Sequence, residues 1–387
     1  MAIRNDRSLA PGLKTMPFTD RRTDGVLVTV EHTSSILVDN PLGDSATRRF
    51  PVWLPPQYDH GASQGKTGGK PRRFPVLYSL AGFFSSGSAH TNWHPFEENI
   101  AERVARLVRD RKMGPVIVVF PDCFTALGGN QYINSLAIGS YADYLTRELV
   151  PWIDREFRTL PAREHRGCFG KSSGGYGALI HAMKYPRTWG AIASHAGDAY
   201  FELCYLPGWP ATLTELGRYR RPPRRVGLEA PPARLLAADR GADDGRVKRF
   251  LAAMRATPRL SFDEGHVLMN IAMAASYDPD PGAPNGFRLP FDLDTGELLP
   301  ERWRRWQRHD PVRLIGRYRD ALRSLRGLYL DCGWRDQYHM HYGTRILARE
   351  LSAHGIVHRY EAFDGTHSGI DHRLDVSLPY LYKALKP

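Results

Sequence analysis

The chain has 387 residues, 42% of them hydrophobic and 11% aromatic, enough apolar surface for a large buried core and too much for a disordered polymer. No stretch approaches the ~20 uninterrupted apolar residues of a membrane-spanning helix, and the opening MAIRNDRSLAPGLK lacks the apolar middle of a secretion signal. The formal charge is +12, and residues 218–326 hold 21 Arg and one Lys against 14 Asp or Glu, a surplus of 8, so most of the positive charge belongs to one segment.

In chain order, residues 1–24 lack periodicity and read as a loose arm. Runs at 26–30, 35–38 and 49–54 read as strands, an antiparallel entry to a sheet that stops at Pro55-Pro56. The Gly, Lys and Arg-rich stretch 59–73 reads as a linker. From residue 75 short apolar runs alternate with amphipathic segments, which predicts an α/β fold with a mostly parallel sheet flanked by helices. Its strands fall at 75–80, 115–120, 166–169, 190–194, 327–331 and 357–363, and its helices at 95–110, 140–157, 173–185, 337–354 and 370–385. Pro95 suits a first helical turn, and Pro151 predicts a kink. Between about 198 and 310 the alternation breaks into Pro-rich and Arg-rich stretches with short helices at 246–256 and 266–275. The expected organisation is therefore a core of 25–197 and 311–387 carrying an inserted cap of 198–310.

Strand 166–169 runs into Gly170-Lys171-Ser172-Ser173-Gly174 and then a helix. A G-x-S-x-G turn between strand and helix holds its serine strained at the sheet edge, which makes Ser172 the candidate nucleophile of an α/β-hydrolase fold. A phosphate-binding loop would need Gly at position 165, which is His165. A serine hydroxyl is a weak nucleophile and needs a base and an orienting acid, which follow in this fold in the order Ser, Asp, His. His367, in a Gly-flanked loop after strand 357–363, is the candidate base. Asp336, in the loop beyond strand 327–331, is the favoured acid, with Asp331 at the strand end as the alternative. The amides of Ser173 and Phe83 are the candidate oxyanion hole.

These residues, with Val52-Trp53-Leu54-Pro55-Pro56, Phe120-Pro121-Asp122, Leu149-Val150-Pro151-Trp152-Ile153-Asp154 and Gly365-Thr366-His367-Ser368, resemble the putative-esterase branch of the α/β hydrolases. That branch includes S-formylglutathione hydrolase, enterochelin esterase, feruloyl esterase modules and mycolyltransferases. The resemblance implies a serine carboxylic-ester hydrolase working through an acyl-serine, with acyl transfer by the same triad as the alternative and a non-catalytic binding module as the second. One departure is that the oxyanion strand ends Ala81-Gly82 where the family often has His-Gly.

Loops at the same sheet end supply candidate pocket residues: His90, Asn92 and Trp93, then Asn130, Gln131 and Tyr132, then His195 and Asp198. The basic cap leads to the expectation of a small, acidic or polar ester as substrate. No cofactor, metal, nucleic acid or membrane is expected: no His-Glu-x-x-His is present, and the Asp-rich runs 278–286 and 292–297 lack the twelfth-position glutamate of a calcium loop. The four cysteines, Cys123, Cys168, Cys204 and Cys332, form no Cys-x-x-Cys pair, which leads to the expectation of reduced thiols in a cytoplasmic protein. The sequence leaves a homo-oligomer open.

Overall fold

The apolar runs at 76–80, 117–119, 191–195 and 327–333 are buried on both faces, as strands covered by helices on either side must be, whereas the edge strand at 359–363 is partly exposed. A computed structural model describes residues 14–15, 25–58, 71–221, 241 and 243–386. Among them, one sheet contains β1 (Lys14–Thr15), β2 (Val26–Thr33), β3 (Thr47–Leu54), β4 (Val76–Leu80), β5 (Ile117–Val119), β8 (Arg166–Lys171), β9 (Ala191–His195), β10 (Gly327–Gly333) and β11 (Arg359–Phe363). A separate hairpin is formed by β6 (Asn134–Ser135) and β7 (Gly139–Ser140). The sheet order is β1-β2-β3-β5-β4-β8-β9-β10-β11, antiparallel from β1 to β5 and parallel from β5 to β11. The parallel strands all end on one side, so the loops after β4, β8, β9, β10 and β11 converge there.

Two sequence expectations need correction, and a third is refined. Residues 35–38 are a turn, not a strand, because their amides are taken by side chains and not by a neighbouring strand: Ser35 donates to Glu148, and Ile36 and Leu37 donate to Ser34 Oγ. The helix expected from Pro95 begins only at Ile100, where Asn99 and Glu102 form a reciprocal capping box. The helix expected over 140–157 runs unbroken as Tyr141–Asp143, a π-helical Tyr144–Leu149 and Val150–Glu156, and the π-helical turn sits immediately before Pro151, whose missing N–H interrupts the hydrogen-bond ladder there. The arm is partly anchored, since the backbone of Lys14 and Thr15 pairs with β2. The remainder of the arm and residues 59–70 of the expected linker lie outside the described residues.

The segment between β9 and β10 packs as an extension of the core. Its helices Phe201–Cys204, Trp209–Gly217, Phe262–Tyr277 and Pro300–Gln307 bring Phe201, Tyr205, Trp209, Tyr277 and Trp306 into one aromatic cluster with ring centroids 4.7–6.0 Å apart. Tyr176, on the helix after Ser172, joins it at 5.9 Å from Tyr277. The buried carboxylate of Asp310 accepts from the amides of Tyr200, Phe201 and Val312, tying the two ends of the segment together.

Close approach fixes the turn after β8. A Cβ on Gly174 would lie 2.1 Å from the Leu80 carbonyl oxygen and one on Gly170 would lie 2.5 Å from the same atom. Gly174→Ala should therefore force β4 and the following helix apart. The expected cost is about 1–3 kcal/mol, read as a lowered midpoint in denaturant unfolding; an unchanged midpoint would refute the close-packing argument.

Candidate active site

Ser172 occupies the junction between β8 and the helix Ser173–Lys184 with φ 56° and ψ −124°, a strained backbone for a non-glycine residue. The strain is held by hydrogen bonds on both sides: its amide donates to the His195 carbonyl at 2.9 Å, and its own carbonyl accepts from the Tyr176 amide at 2.8 Å. The amide of Ser173 opens the helix, where it has no intrahelical acceptor. The amide of Phe83, in the turn after β4, makes no hydrogen bond within the described residues, whereas its neighbours Phe84 and Ser85 donate to Gly128 and Gly82. One free donor therefore opens the helix after Ser172 and the other sits in the turn after β4, both beside Ser172.

Asp336 and His367 come from the loops after β10 and β11, adjacent parallel strands. His367 Nδ1 lies 2.7 Å from Asp336 Oδ2. Asp336 Oδ1 accepts from the Tyr338 amide at 2.8 Å, and the His367 amide donates to Gln337 Oε1 at 3.0 Å, so the loop after β10 orients its own aspartate and also holds the backbone of the loop that carries His367. The Tyr338 ring packs edge-on to His367 at 4.8 Å. With Nδ1 donating to the carboxylate, Nε2 is left as the basic nitrogen. Ser172 and His367 line one cavity of about 760 Å³.

Asp331 has different partners. Its Oδ1 meets His195 Nδ1 at 2.6 Å, and its Oδ2 accepts from Tyr329 at 3.0 Å and Arg373 at 2.9 Å. His195 Nε2 in turn lies 3.0 Å from Ser377 Oγ. This is a second Ser-His-Asp chain, but Ser377 is 0% exposed in the interior of helix Leu374–Leu385 and does not reach the cavity.

Both aspartates are held below the ordinary carboxylate range. Burial alone would push Asp336 up, but His367 and the amides of Tyr338 and Met340 outweigh it. Burial likewise opposes ionisation of Asp331, and His195 with Arg373 outweighs it. A carboxylate depressed in the folded state adds stability above its unfolded value, near pH 4, and loses it as pH falls through the folded value. Denaturant midpoints should fall steeply below about pH 4; a flat profile to pH 2.5 would contradict these assignments.

The remaining sequence candidates divide. His90, His195 and Asp198 line the cavity. His90 Nδ1 bonds Ser79 Oγ at 2.9 Å, and burial pushes its pKa down to about 4. Gln131 is buried behind the wall, its Nε2 reaching Ser173 Oγ at 3.0 Å and Asp198 Oδ2 at 3.2 Å. Trp93, Asn130 and Tyr132 do not line the cavity: Trp93 is 61% exposed, Asn130 accepts from the Tyr132 amide at 2.5 Å, and the Tyr132 hydroxyl donates to Ala81. Neither does Asn92, at the end of the short helix Ser88–Thr91.

Residues not singled out in the sequence complete the wall. Phe262, His266 and Met269 face it from the long inserted helix, and Phe84, Tyr205 and Tyr338 join them. The spacing 262, 266, 269 is one helical stripe, a signal that reads equally as ordinary core. No Arg lines the cavity among the described residues; its charged lining is Glu97, Glu98, Asp198 and Asp371 against Lys171. Several of the described cap arginines instead meet cap carboxylates, Arg246 with Asp244 and Asp294, Arg288 with Asp280, and Arg302 and Arg305 with Asp278. The expectation that cap charge draws an acidic ester finds no support in this lining. The Asp-rich runs form turns, Asp292 accepting from the Asp294 and Thr295 amides. No helix among the described residues is long and apolar enough to cross a membrane.

A family model described as putative esterase matches residues 45–376. A stretch of 135 residues is 31% identical to an esterase of Mycobacterium tuberculosis (strain ATCC 25618 / H37Rv), covering 33% of this chain and 26% of that protein. Another of 132 residues is 29% identical to an endo-1,4-beta-xylanase/feruloyl esterase of Xylanibacter ruminicola, covering 34% and 18%. The matches thus span about a quarter or less of these curated relatives. Among solved structures, a ferulic acid esterase overlays with a TM-score of 0.54 at 17% identity, covering 93% of this chain and 98% of that one. An S-formylglutathione hydrolase from Agrobacterium tumefaciens overlays with a TM-score of 0.52 at 16% identity, covering 94% and 96%. At such identities the likeness is one of fold, the α/β-hydrolase fold. The family model extends over most of the chain, and the chain belongs to the putative-esterase family.

Proposed function

We propose that the protein hydrolyses carboxylic esters through an acyl-Ser172 intermediate, on the architecture of a 25–197 and 311–387 core with a 198–310 cap. His367 Nε2 takes the Ser172 proton as Oγ attacks the ester carbonyl, and returns it to the departing alcohol. Asp336 fixes the ring tautomer and stabilises the imidazolium. The Ser173 and Phe83 amides receive the negative oxygen of the tetrahedral intermediate. Water then repeats the sequence and releases the acid.

The observation that carries this reading is the 2.7 Å His367–Asp336 contact on the same cavity as a serine held at φ 56°. The rival chain Ser377–His195–Asp331 has comparable distances, but its serine is sealed in the core and cannot meet an ester. A fluorophosphonate probe should label wild-type protein at one site and leave Ser172→Ala unlabelled. Equal labelling of both would sink the assignment. Acyl transfer uses the same triad and differs in the acceptor, so product analysis with and without added alcohols separates the two.

A further inference from the structure

The cavity wall holds a carboxylate that the hydrolytic steps do not use. Asp198, just past β9, is 2% exposed and lines the cavity with Ser172 and Ser173. Its Oδ2 accepts from Tyr205 at 2.7 Å and from Gln131 at 3.2 Å. Its Oδ1 has no hydrogen-bond partner. A buried carboxylate oxygen without a donor is costly, and such groups in native structures call for an explanation beyond packing. Gln131 bridges Asp198 to Ser173 Oγ at 3.0 Å, so the carboxylate stands two hydrogen bonds from the residue whose amide would hold the ester oxygen. Nearby donors are already committed: the Tyr205 hydroxyl lies 3.2 Å from that of Tyr277 while it donates to Oδ2. Oδ1 is sealed from solvent in this conformation, so a substrate donor reaches it as the carboxyl turns about its Cβ–Cγ bond toward the cavity that Asp198 lines.

We propose that Asp198 is a specificity-determining residue that selects esters bearing a hydrogen-bond donor, a hydroxyl or an ammonium group, over donor-free and anionic esters. This rests on the ester-hydrolase reading above and gives it a substrate class. The cavity's charged lining agrees, with four carboxylates against one lysine among the described residues. It reverses the preference that the Arg-rich segment suggests from sequence, because none of its described arginines lines the cavity.

The test is a set of kcat/KM values for 4-nitrophenyl hexanoate, its 3-hydroxy, 6-hydroxy and 6-amino derivatives, and the 4-nitrophenyl monoester of adipate. Ethyl and 2-hydroxyethyl hexanoate examine the alcohol side. At least one donor-bearing ester should exceed its donor-free partner by about tenfold or more, the scale of a hydrogen bond to a charged group, with the adipate ester slowest. Whether the acyl or the alcohol series shows the preference locates the donor. In Asp198→Asn that ratio should fall about tenfold. Donor-bearing and donor-free esters within twofold of each other, a fastest adipate ester, or an unchanged ratio in a folded Asp198→Asn would each overturn the proposal. Should the variant fail to fold, the wild-type panel decides. Labelling of Ser172 without selectivity removes this inference alone, whereas absence of labelling removes the hydrolase reading as well.

Discussion

Ser172→Ala is expected to lower kcat by about 10⁶-fold, the scale seen when a serine hydrolase loses its nucleophile. His367→Ala should cost a similar amount, and the double variant should be no worse than either alone, because a nucleophile without its base and a base without its nucleophile are both idle. That non-additivity separates a catalytic pair from two independent structural contributions, which would multiply. Neither change should alter the fold greatly. Ser172 keeps its strained turn through backbone bonds to His195 and Tyr176, which an alanine retains. The residual rate should reflect the cavity and the free amides of Ser173 and Phe83. A double variant slower than each single variant by a further factor of ~10³ or more would contradict the pairing.

The second large effect distinguishes two aspartates five residues apart. Asp336→Asn should lower kcat by about 10⁴-fold, since an amide at this position favours the wrong imidazole tautomer. Asp331→Asn should act mainly on stability: it leaves Arg373 and His195 facing a neutral group in the core, and breaking a buried charge pair costs about 3 kcal/mol or more. Its effect on kcat should stay within about tenfold, since the hydrogen bond from the Ser172 amide goes to the His195 backbone and not to its ring. Kinetics and denaturant unfolding on the same two variants measure both quantities. A reversed pattern, with Asp331→Asn inactive and Asp336→Asn merely less stable, would transfer the acid's role to Asp331.

The sequence carries these chemical groups unevenly, for physical reasons. The parallel strands were legible because continuous apolar runs such as Val76–Leu80 and Gly327–Gly333 must be covered on both faces. The turn at Ser172 was legible because its glycines answer a local steric demand, the Leu80 carbonyl beside Gly170 and Gly174. The stretch 35–38 misled because a short apolar run says nothing about where amides find partners, and Glu148, more than a hundred residues away, takes the amide of Ser35. The division of labour between Asp331 and Asp336 was also beyond local pattern. It depends on His195, Arg373 and Ser377, brought together only by strand order and by the last helix. Net charge misled for a similar reason, since composition counts arginines without saying which carboxylates they meet. Trp93 and Tyr132 followed strands as pocket residues often do, yet one faces solvent and the other braces the turn at Ala81.

The most direct measurement is the mass of the acyl-enzyme. Protein mixed with a 4-nitrophenyl ester, quenched in acid during turnover and digested with trypsin should carry one acyl group on the peptide from Ser172 to Lys184, with fragment ions placing it on Ser172. Slowing deacylation with a bulky acyl chain raises its occupancy. No adduct under burst conditions, or an adduct on Ser377 in the peptide from Leu374 to Lys383, would contradict the account.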